Sequence, residues 1–140
     1  MTRMHVTVPA TARLAEVHSL KTSAVAEVGD LLVFSGMVYF DQETGQLPEN
    51  VPFGETALLL LRQLGNALGD LGLSFDHVVK VTAYMSDMSN YPEWDQVWNE
   101  TFTAPYPART SVAVTLASTS LLELDVIACK QPRYDAAEGE

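Results

Sequence analysis

Alternating apolar and polar residues, with runs of branched and aromatic side chains, predict five β-strands in this chain. They span residues 22–28, 31–40, 78–85, 109–116 and 121–129. Gly29 and Asp30 form a turn between the first two strands, and the segment ASTS forms a turn between the last two. The pattern therefore places one pair of strands near the start of the chain and another pair at its end.

Helical spacing of apolar residues predicts two helices between these strands. The first runs from about 55 to 71, and Gly72 suits the position directly after it. The second begins near Asn90, where Asn90 and Glu93 resemble a capping box and Pro92 fits the first turn. We interpret its apolar side as packing surface; it carries Trp94, Val97, Trp98 and Phe102. The order β-β-α-β-α-β-β predicts an α+β fold with two helices on one face of a mixed sheet.

The face of the sheet that carries no helix needs an explanation. Matching the apolar residues of the last two strands pairs Leu116 with Leu122, because a slip of one residue would invert the faces. The other face then carries Arg109, Ser111 and Glu123. In this register Arg109 and Glu123 lie about 20 Å apart along the strands. Either the two residues are unrelated, or a second subunit brings its Glu123 to Arg109.

The length of 140 residues predicts one domain over 1–140, long enough to bury a core without metal or disulfide support. A composition of 47% apolar and 19% charged residues is typical of a globular protein. We expect an N-terminal extension over about 1–20 and a flexible acidic tail over 131–140.

The charge and the cysteine content exclude several classes of function. The formal net charge is −10 and the eight basic residues are scattered, so we expect no nucleic acid partner. No run approaches the ~18 apolar residues of a membrane helix, and the first residues lack the apolar segment of a secretion signal. The single cysteine, Cys129, cannot form an intrachain disulfide and fits a reducing compartment. We therefore expect a cytoplasmic protein with no membrane partner.

Arg109 is the strongest candidate for a binding residue. It follows a proline-rich turn and opens a strand in the segment PYPARTSVAV. A guanidinium presents a rigid fork of donors that binds a carboxylate through two hydrogen bonds. The alternative is a structural ion pair with Asp125 or another acid.

Other residues are weaker candidates when each is taken alone. Glu123 lies inside a strand, where an exposed surface glutamate is the simpler interpretation. Ser111 follows Arg109 on the same face. Ser35 and Gly36 interrupt an apolar strand, and a glycine there indicates either close approach of a ligand or backbone, or a bulge.

We expect neither a metal nor a cofactor. The histidines show no metal-ligand spacing with Cys129 or with the acidic residues. The chain also lacks a Ser-His-Asp pattern and a glycine-rich phosphate loop.

From about 29 to 129 the chain resembles the RidA/YjgF family of imine and enamine deaminases, also labelled endoribonuclease L-PSP. The resemblance is carried in order by LLVFSGMVYFDQETGQL, LGLSFDHVVKVTAYMSDMSNY, VWNETF, YPARTSV and LELDVIA. It implies a chorismate-mutase-like fold that assembles as a homotrimer around a central barrel, with active sites between subunits. It also implies hydrolysis of a 2-imino acid to the 2-oxo acid and ammonium, without metal or cofactor.

Carried over by position, the resemblance assigns roles to the candidates. Arg109 matches the arginine that holds the substrate carboxylate, and Glu123 matches the glutamate that orients or deprotonates the attacking water. Ser111 matches a position whose carbonyl helps to hold substrate or water. The strand positions that line the cleft are matched by Ser35 and Gly36.

Two positions depart from the family pattern. The position of the active-site tyrosine falls near Thr22, and that of a helical asparagine falls on Asp95, which adds negative charge beside an anion site. A larger or amine-bearing enamine therefore stays open as substrate. A non-catalytic trimer that binds a small carboxylate or serves regulation is the alternative. A ribonuclease is disfavoured by the charge.

Overall fold

A mixed β-sheet forms the frame of the molecule. The computed structural model describes residues 3–6 and 8–134. The described strands lie in the order β1-β2-β3-β6-β4-β5, and all neighbours are antiparallel except β4 and β5. The elements are β1 (Arg3–Val6), α1 (Pro9–His18), β2 (Val25–Val28), β3 (Leu31–Phe34), α2 (Phe53–Asp70), β4 (Val78–Met85), α3 (Tyr91–Thr101), β5 (Ala108–Ala113) and β6 (Leu122–Cys129).

The predicted α+β fold is confirmed, and the N-terminal extension adds two elements to it. The five predicted strands correspond to β2 to β6 and the two predicted helices to α2 and α3. The N-terminal extension that we expect over about 1–20 contains β1, which pairs with β2, and the helix α1. In the described ranges no helix is both long enough and apolar enough to cross a membrane.

The apolar stripe of α2 packs on the sheet and forms the core together with α3. Leu60, Leu64 and Leu68 of α2 are fully buried, as is Trp94 of α3. Burying one such leucine stabilises the fold by about 1.5–3 kcal/mol. The predicted capping box at the start of α3 does not form, because the Asn90 side chain makes no capping hydrogen bond.

The predicted pairing of the last two strands is wrong, and β4 lies between them. Every second residue is buried along β6 and, from Val81 onward, along β4, whereas β5 has no buried residue. The most apolar strands therefore take the centre of the sheet and β5 takes an edge. A parallel pair needs a crossover connection, and α3 supplies it between β4 and β5.

The pairing with β4 also corrects the predicted faces. Directly paired residues point to the same side of a sheet. Arg109 pairs with Val81 and Ser111 pairs with Ala83; both partners are fully buried under the helices. Glu123 pairs with Tyr84 and therefore lies on the open face. The expectation that Arg109 and Ser111 share a face with Glu123 is wrong.

The predicted flexible tail is anchored over its first residues. Of the range 131–140, residues 135–140 lie outside the described part of the chain. Arg133 donates hydrogen bonds to four main-chain carbonyl oxygens, those of Phe75, Val78, Thr103 and Pro105. These bonds fix the chain after β6 to the turn before β4 and to the loop before β5.

Two glycines near the end of α2 should respond oppositely to alanine. A methyl group at Gly69 or at Gly72 would meet nothing within 4 Å, but only Gly72 has a positive φ, of 74°. We expect Gly69→Ala to raise the free energy of unfolding by up to about 1 kcal/mol, because alanine favours the helix. Gly72→Ala should lower it by about 1–2 kcal/mol, because the left-handed conformation strains a side chain. Urea unfolding measures both, and shifts in the same direction would contradict the prediction.

Candidate active site

Arg109 lies on the helix-covered side of the edge strand β5, directly under α3. Its guanidinium carbon is 5.0 Å from the ring centre of Trp98 and 5.6 Å from that of Tyr91. Its Nη2 donates a hydrogen bond of 2.8 Å to the Tyr91 hydroxyl. The side chain is only 21% exposed. Two aromatic faces and one hydroxyl therefore hold a fixed positive charge at the edge of the sheet.

Asp95 is the acid that pairs with this arginine. Its Oδ1 lies 2.9 Å from Arg109 Nη1. The geometry is that of an ion pair without an aligned hydrogen bond, and Nη1 makes no hydrogen bond to any described residue. The predicted alternative, a structural ion pair with Asp125 or another acid, is confirmed with Asp95 as the acid; Asp125 pairs with Thr82 and lies on the opposite face. The pair is accessible, since the Asp95 side chain is 41% exposed, so its strength is modest.

Sequence reasoning missed that Tyr91 and Trp98 hold the arginine. Tyr91, Asp95 and Trp98 are separated by four and three residues along α3, the spacing that puts side chains on one face of a helix. This spacing was the available signal. Because we assign Trp98 only a packing role from the sequence, the shared helix face does not by itself predict a contact with Arg109.

Ser111 lies two residues beyond Arg109 on the same side of β5. Its Oγ is buried and has no hydrogen-bond partner among the described residues. A buried hydroxyl without a partner costs about 1–3 kcal/mol. Ser111 Oγ therefore leaves donor capacity for a bound molecule on the same side of the sheet as Arg109.

Glu123 and Gly36 meet in a second group, near the junction of β3 and β6. A methyl group at Gly36 would collide with Oε2 of Glu123, so only glycine leaves room for the carboxylate in its present place. Between the pairs Val33–Ile127 and Met37–Leu124, one strand advances four residues and the other three. This is a bulge. Gly36 thus marks both a bulge and a close approach, the two interpretations that the sequence left open.

The surroundings of Glu123 make it a stronger base than an exposed glutamate. Burial raises the pKa of the Glu123 carboxyl above its usual value, and the charge of Asp125 raises it further. Asp125 in turn accepts a hydrogen bond of 2.9 Å from the Tyr84 hydroxyl, which raises the pKa of Tyr84. A partly buried carboxylate with a raised pKa is typical of a general base.

Ser35 and Thr22 line a cleft beside α1. The Ser35 hydroxyl donates a hydrogen bond of 2.6 Å to the Ser23 carbonyl, and its backbone N–H donates to the Ala24 carbonyl. Ser35 therefore fixes the loop that carries Thr22. Gly36 lines the same cleft and joins it to Glu123.

The predicted site residues therefore form two groups that one chain does not bring together. Arg109, Ser111 and Asp95 lie on the helix side of β5, and Ser35, Gly36 and Glu123 lie near the junction of β3 and β6. Along β4, the partners of Arg109 and Glu123 are three residues or about 10 Å apart, and they face opposite sides. Among the described residues, no three His, Cys, Asp or Glu side chains are grouped closely enough to hold a metal.

Comparison with known proteins gives consistent results for sequence and structure. The family model described as Endoribonuclease L-PSP matches residues 11–130. A 2-iminobutanoate/2-iminopropanoate deaminase of Mus musculus is 33% identical over 113 residues, covering 79% of this chain and 82% of the relative. A RutC family protein of Aquifex aeolicus is 30% identical over 111 residues, covering 77% of this chain and 87% of the relative.

Solved structures show the same fold. The crystal structure of yeast Mmf1 superposes with a TM-score of 0.79 at 26% identity, covering 93% of this chain and all of that one. RidA from Psychrobacter sp. PAMC 21119 gives a TM-score of 0.71 at 28% identity, covering 78% of this chain and 88% of that one. The matched range includes both groups of candidate residues. The chain therefore belongs to the RidA/YjgF family, whose family model carries the description endoribonuclease L-PSP.

Proposed function

We propose that this protein hydrolyses small imines or enamines that bear a carboxylate, converting a 2-imino acid and water to the 2-oxo acid and ammonium. The observation that carries the proposal is Arg109, a largely buried guanidinium on an edge strand that is held by aromatic rings and whose Nη1 faces the carboxylate of the partly exposed Asp95. The deaminase name of the mouse relative supports the same reaction.

Arg109 would hold the substrate through its carboxylate. The carboxylate would approach Nη1 from the side that Asp95 now occupies, and would accept the hydrogen bond that Asp95 does not make. Because both acids are negative, binding requires Asp95 to turn away; its 41% exposed side chain is free to do so. The Tyr91 hydrogen bond keeps the guanidinium in place meanwhile.

Glu123 would act as the general base for water. The water oxygen forms a bond to the imine carbon as its proton passes to the Glu123 carboxylate. Glu123 then returns this proton to the nitrogen. In the resulting carbinolamine, Glu123 takes the hydroxyl proton and passes it to the nitrogen; the carbonyl forms, the carbon–nitrogen bond breaks, and the ammonia released takes up a proton from water. The raised pKa of Glu123 favours the first step.

The complete site would form between copies of this chain in a homotrimer. Within one chain the two groups face opposite sides of the sheet, so Arg109 of one copy must meet Glu123 of another. Apolar residues on the open face support such an assembly, since Leu31 is 45% and Val33 40% exposed. The outer edge of β5 is also free of a strand partner among the described residues.

The Arg109–Asp95 pair favours one alternative, a non-catalytic trimer that binds a small carboxylate. A carboxylate ligand would displace Asp95 from Arg109, and Asp95 would return when the ligand leaves. Such reversible exchange suits a binding protein. Calorimetric binding of a 2-oxo acid, lost in Arg109→Ala, without turnover of any imine tested would favour this alternative.

The role of Arg109 is tested with 2-iminopropanoate generated by an amino-acid oxidase, by following loss of imine above the buffer rate. We expect Arg109→Ala to lower kcat/KM about 100-fold and Arg109→Lys about tenfold, because lysine keeps the charge without the fork. Asp95→Asn should lower KM a few-fold, because it removes a competing charge. An unchanged rate in Arg109→Ala would contradict the proposal.

The shared site is tested by mixing two inactive variants. Arg109→Ala chains and Glu123→Gln chains should each be inactive alone. Co-expression should restore activity, because about one quarter of the sites in random mixed trimers regain both wild-type residues. The matched control mixes wild-type chains with the double variant, which gives the same proportion of each residue. No recovery in the first mixture would place both residues in one chain and overturn the assembly.

The burial that raises the pKa of Glu123 should also lower the stability of the folded protein at neutral pH. A carboxyl whose pKa is raised by folding contributes stability that is present below its unfolded pKa and is lost as the pH rises through its folded pKa. A neighbour's Arg109 changes this little, because Asp95 neutralises it. Glu123→Gln should therefore raise Tm at pH 7 but not near pH 4, while lowering kcat at least about 100-fold. The exposed control Glu49→Gln should change neither. Equal Tm differences at both pH values would contradict the prediction.

A further inference from the structure

An apolar cleft of about 250 Å³ opens beside Ser35 and Gly36, and the reaction steps proposed above give no function to its apolar wall. It lies between α1, the loop over 20–24 and the chain over 35–40. Most of its wall is apolar; it includes Ala12, Leu14, Ala15, Leu20, Met37 and Phe40. Its polar end carries Thr22 and Ser35, next to the Gly36 backbone that touches Glu123.

The helix α1 packs against α2, but the described residues cover its apolar side only in part. None of the ten residues of α1 is buried, and Leu20, two residues after it, is 48% exposed. Polar bonds hold the helix instead: His18 Nε2 lies 2.9 Å from the Gly45 carbonyl, and Arg13 Nε donates to the Glu43 carbonyl. The helix is thus fixed from outside while its apolar side faces open space in the cleft.

We propose, on the basis of the proposed function, that this cleft binds the side chain of the substrate and selects a branched or aromatic one. A molecule reacting beside Glu123 has its imine carbon near Gly36, and the cleft begins at Gly36. The substituent on that carbon therefore enters the cleft. A cavity of about 150 Å³ holds benzene, so about 250 Å³ accommodates a benzyl or isobutyl group with room to spare.

The residues that line the cleft also disfavour substrates with an acidic or a very small side chain. Glu16 lines the cleft with an exposed side chain, whereas its ion-pair partner Arg13, 3.4 Å away, does not line it, so a second carboxylate on the substrate would face the Glu16 carboxylate. A methyl group would leave most of the apolar wall in contact with water. Each methylene that becomes buried should raise kcat/KM about fourfold. The preferred substrates are thus the imines related to phenylalanine and leucine, ahead of those related to alanine and glutamate.

The test compares kcat/KM for the imines that an amino-acid oxidase forms from phenylalanine, leucine, alanine and glutamate. We expect the first two to exceed the alanine imine by about tenfold or more. Ala15→Phe fills the cleft, so it should reduce this preference at least about tenfold and leave the alanine imine within about threefold. Asn66→Phe adds a ring on the exposed side of α2 and should leave the preference unchanged.

Failure of this inference is distinguishable from failure of the proposed function. Two results would contradict substrate selection by the cleft: similar rates for all four imines, or an equal loss of rate for all of them in Ala15→Phe. Neither result would contradict the proposed deaminase activity. Absence of any hydrolysis overturns the deaminase, and calorimetry then tests the cleft alone. Phenylpyruvate should bind more tightly than pyruvate, and Ala15→Phe should abolish the difference; equal binding overturns the cleft.

A second copy of the chain is the alternative occupant of the cleft. If a second copy of the chain fills the cleft instead of a substrate side chain, Ala15→Phe should change the sedimentation coefficient. We expect the coefficient to stay that of the unchanged protein. Because polar bonds hold α1, we expect the helix to stay folded in Ala15→Phe. Far-UV circular dichroism of the same sample measures its helix content.

Discussion

The pairing of β4 with β5 on one side and β6 on the other determines where every candidate residue lies. The parallel pair sets Arg109 beside Val81, and the antiparallel pair sets Glu123 beside Tyr84. Alternation along β4 then directs the two charged groups to opposite sides of one sheet. No side-chain rotation crosses a sheet, so the separation is a property of the backbone. Any chemistry that needs both groups must therefore use more than one chain.

The ion pair with Asp95 distinguishes the surroundings of Arg109 from a simple anion-binding site. Tyr91 and Trp98 hold the guanidinium, but Asp95 offers it a carboxylate of the same chemical kind as the proposed substrate. Because the Asp95 partner is 41% exposed, solvent screens the ion pair, and its replacement by a ligand carboxylate changes the free energy only modestly. Affinity must then come from elsewhere in the molecule, and the apolar cleft beside α1 is suited to supply it.

Local patterns predicted the elements of the fold, while the arrangement of the strands depended on information that local patterns lack. The leucine spacing of α2 and the turn at Gly72 were sufficient for that helix. The faces of β5 were predicted wrongly because a short connection suggested a hairpin, whereas burial of β4 and β6 decides the order. Arg109 and Glu123 stood out as charges in strands. The Tyr91 contact was missed because it joins a helix and a strand that sequence alone does not place together.

Gly36 shows how a small backbone irregularity links stability to chemistry. The bulge before Met37 brings the main chain against Glu123, and this approach removes water from one side of the carboxylate. Loss of water raises the pKa of Glu123, which disfavours its charged form in the folded protein but makes it a better proton acceptor. Gly36 also lines the polar end of the cleft. One missing side chain therefore sets the basicity of the proposed base and the place where a substrate side chain would enter.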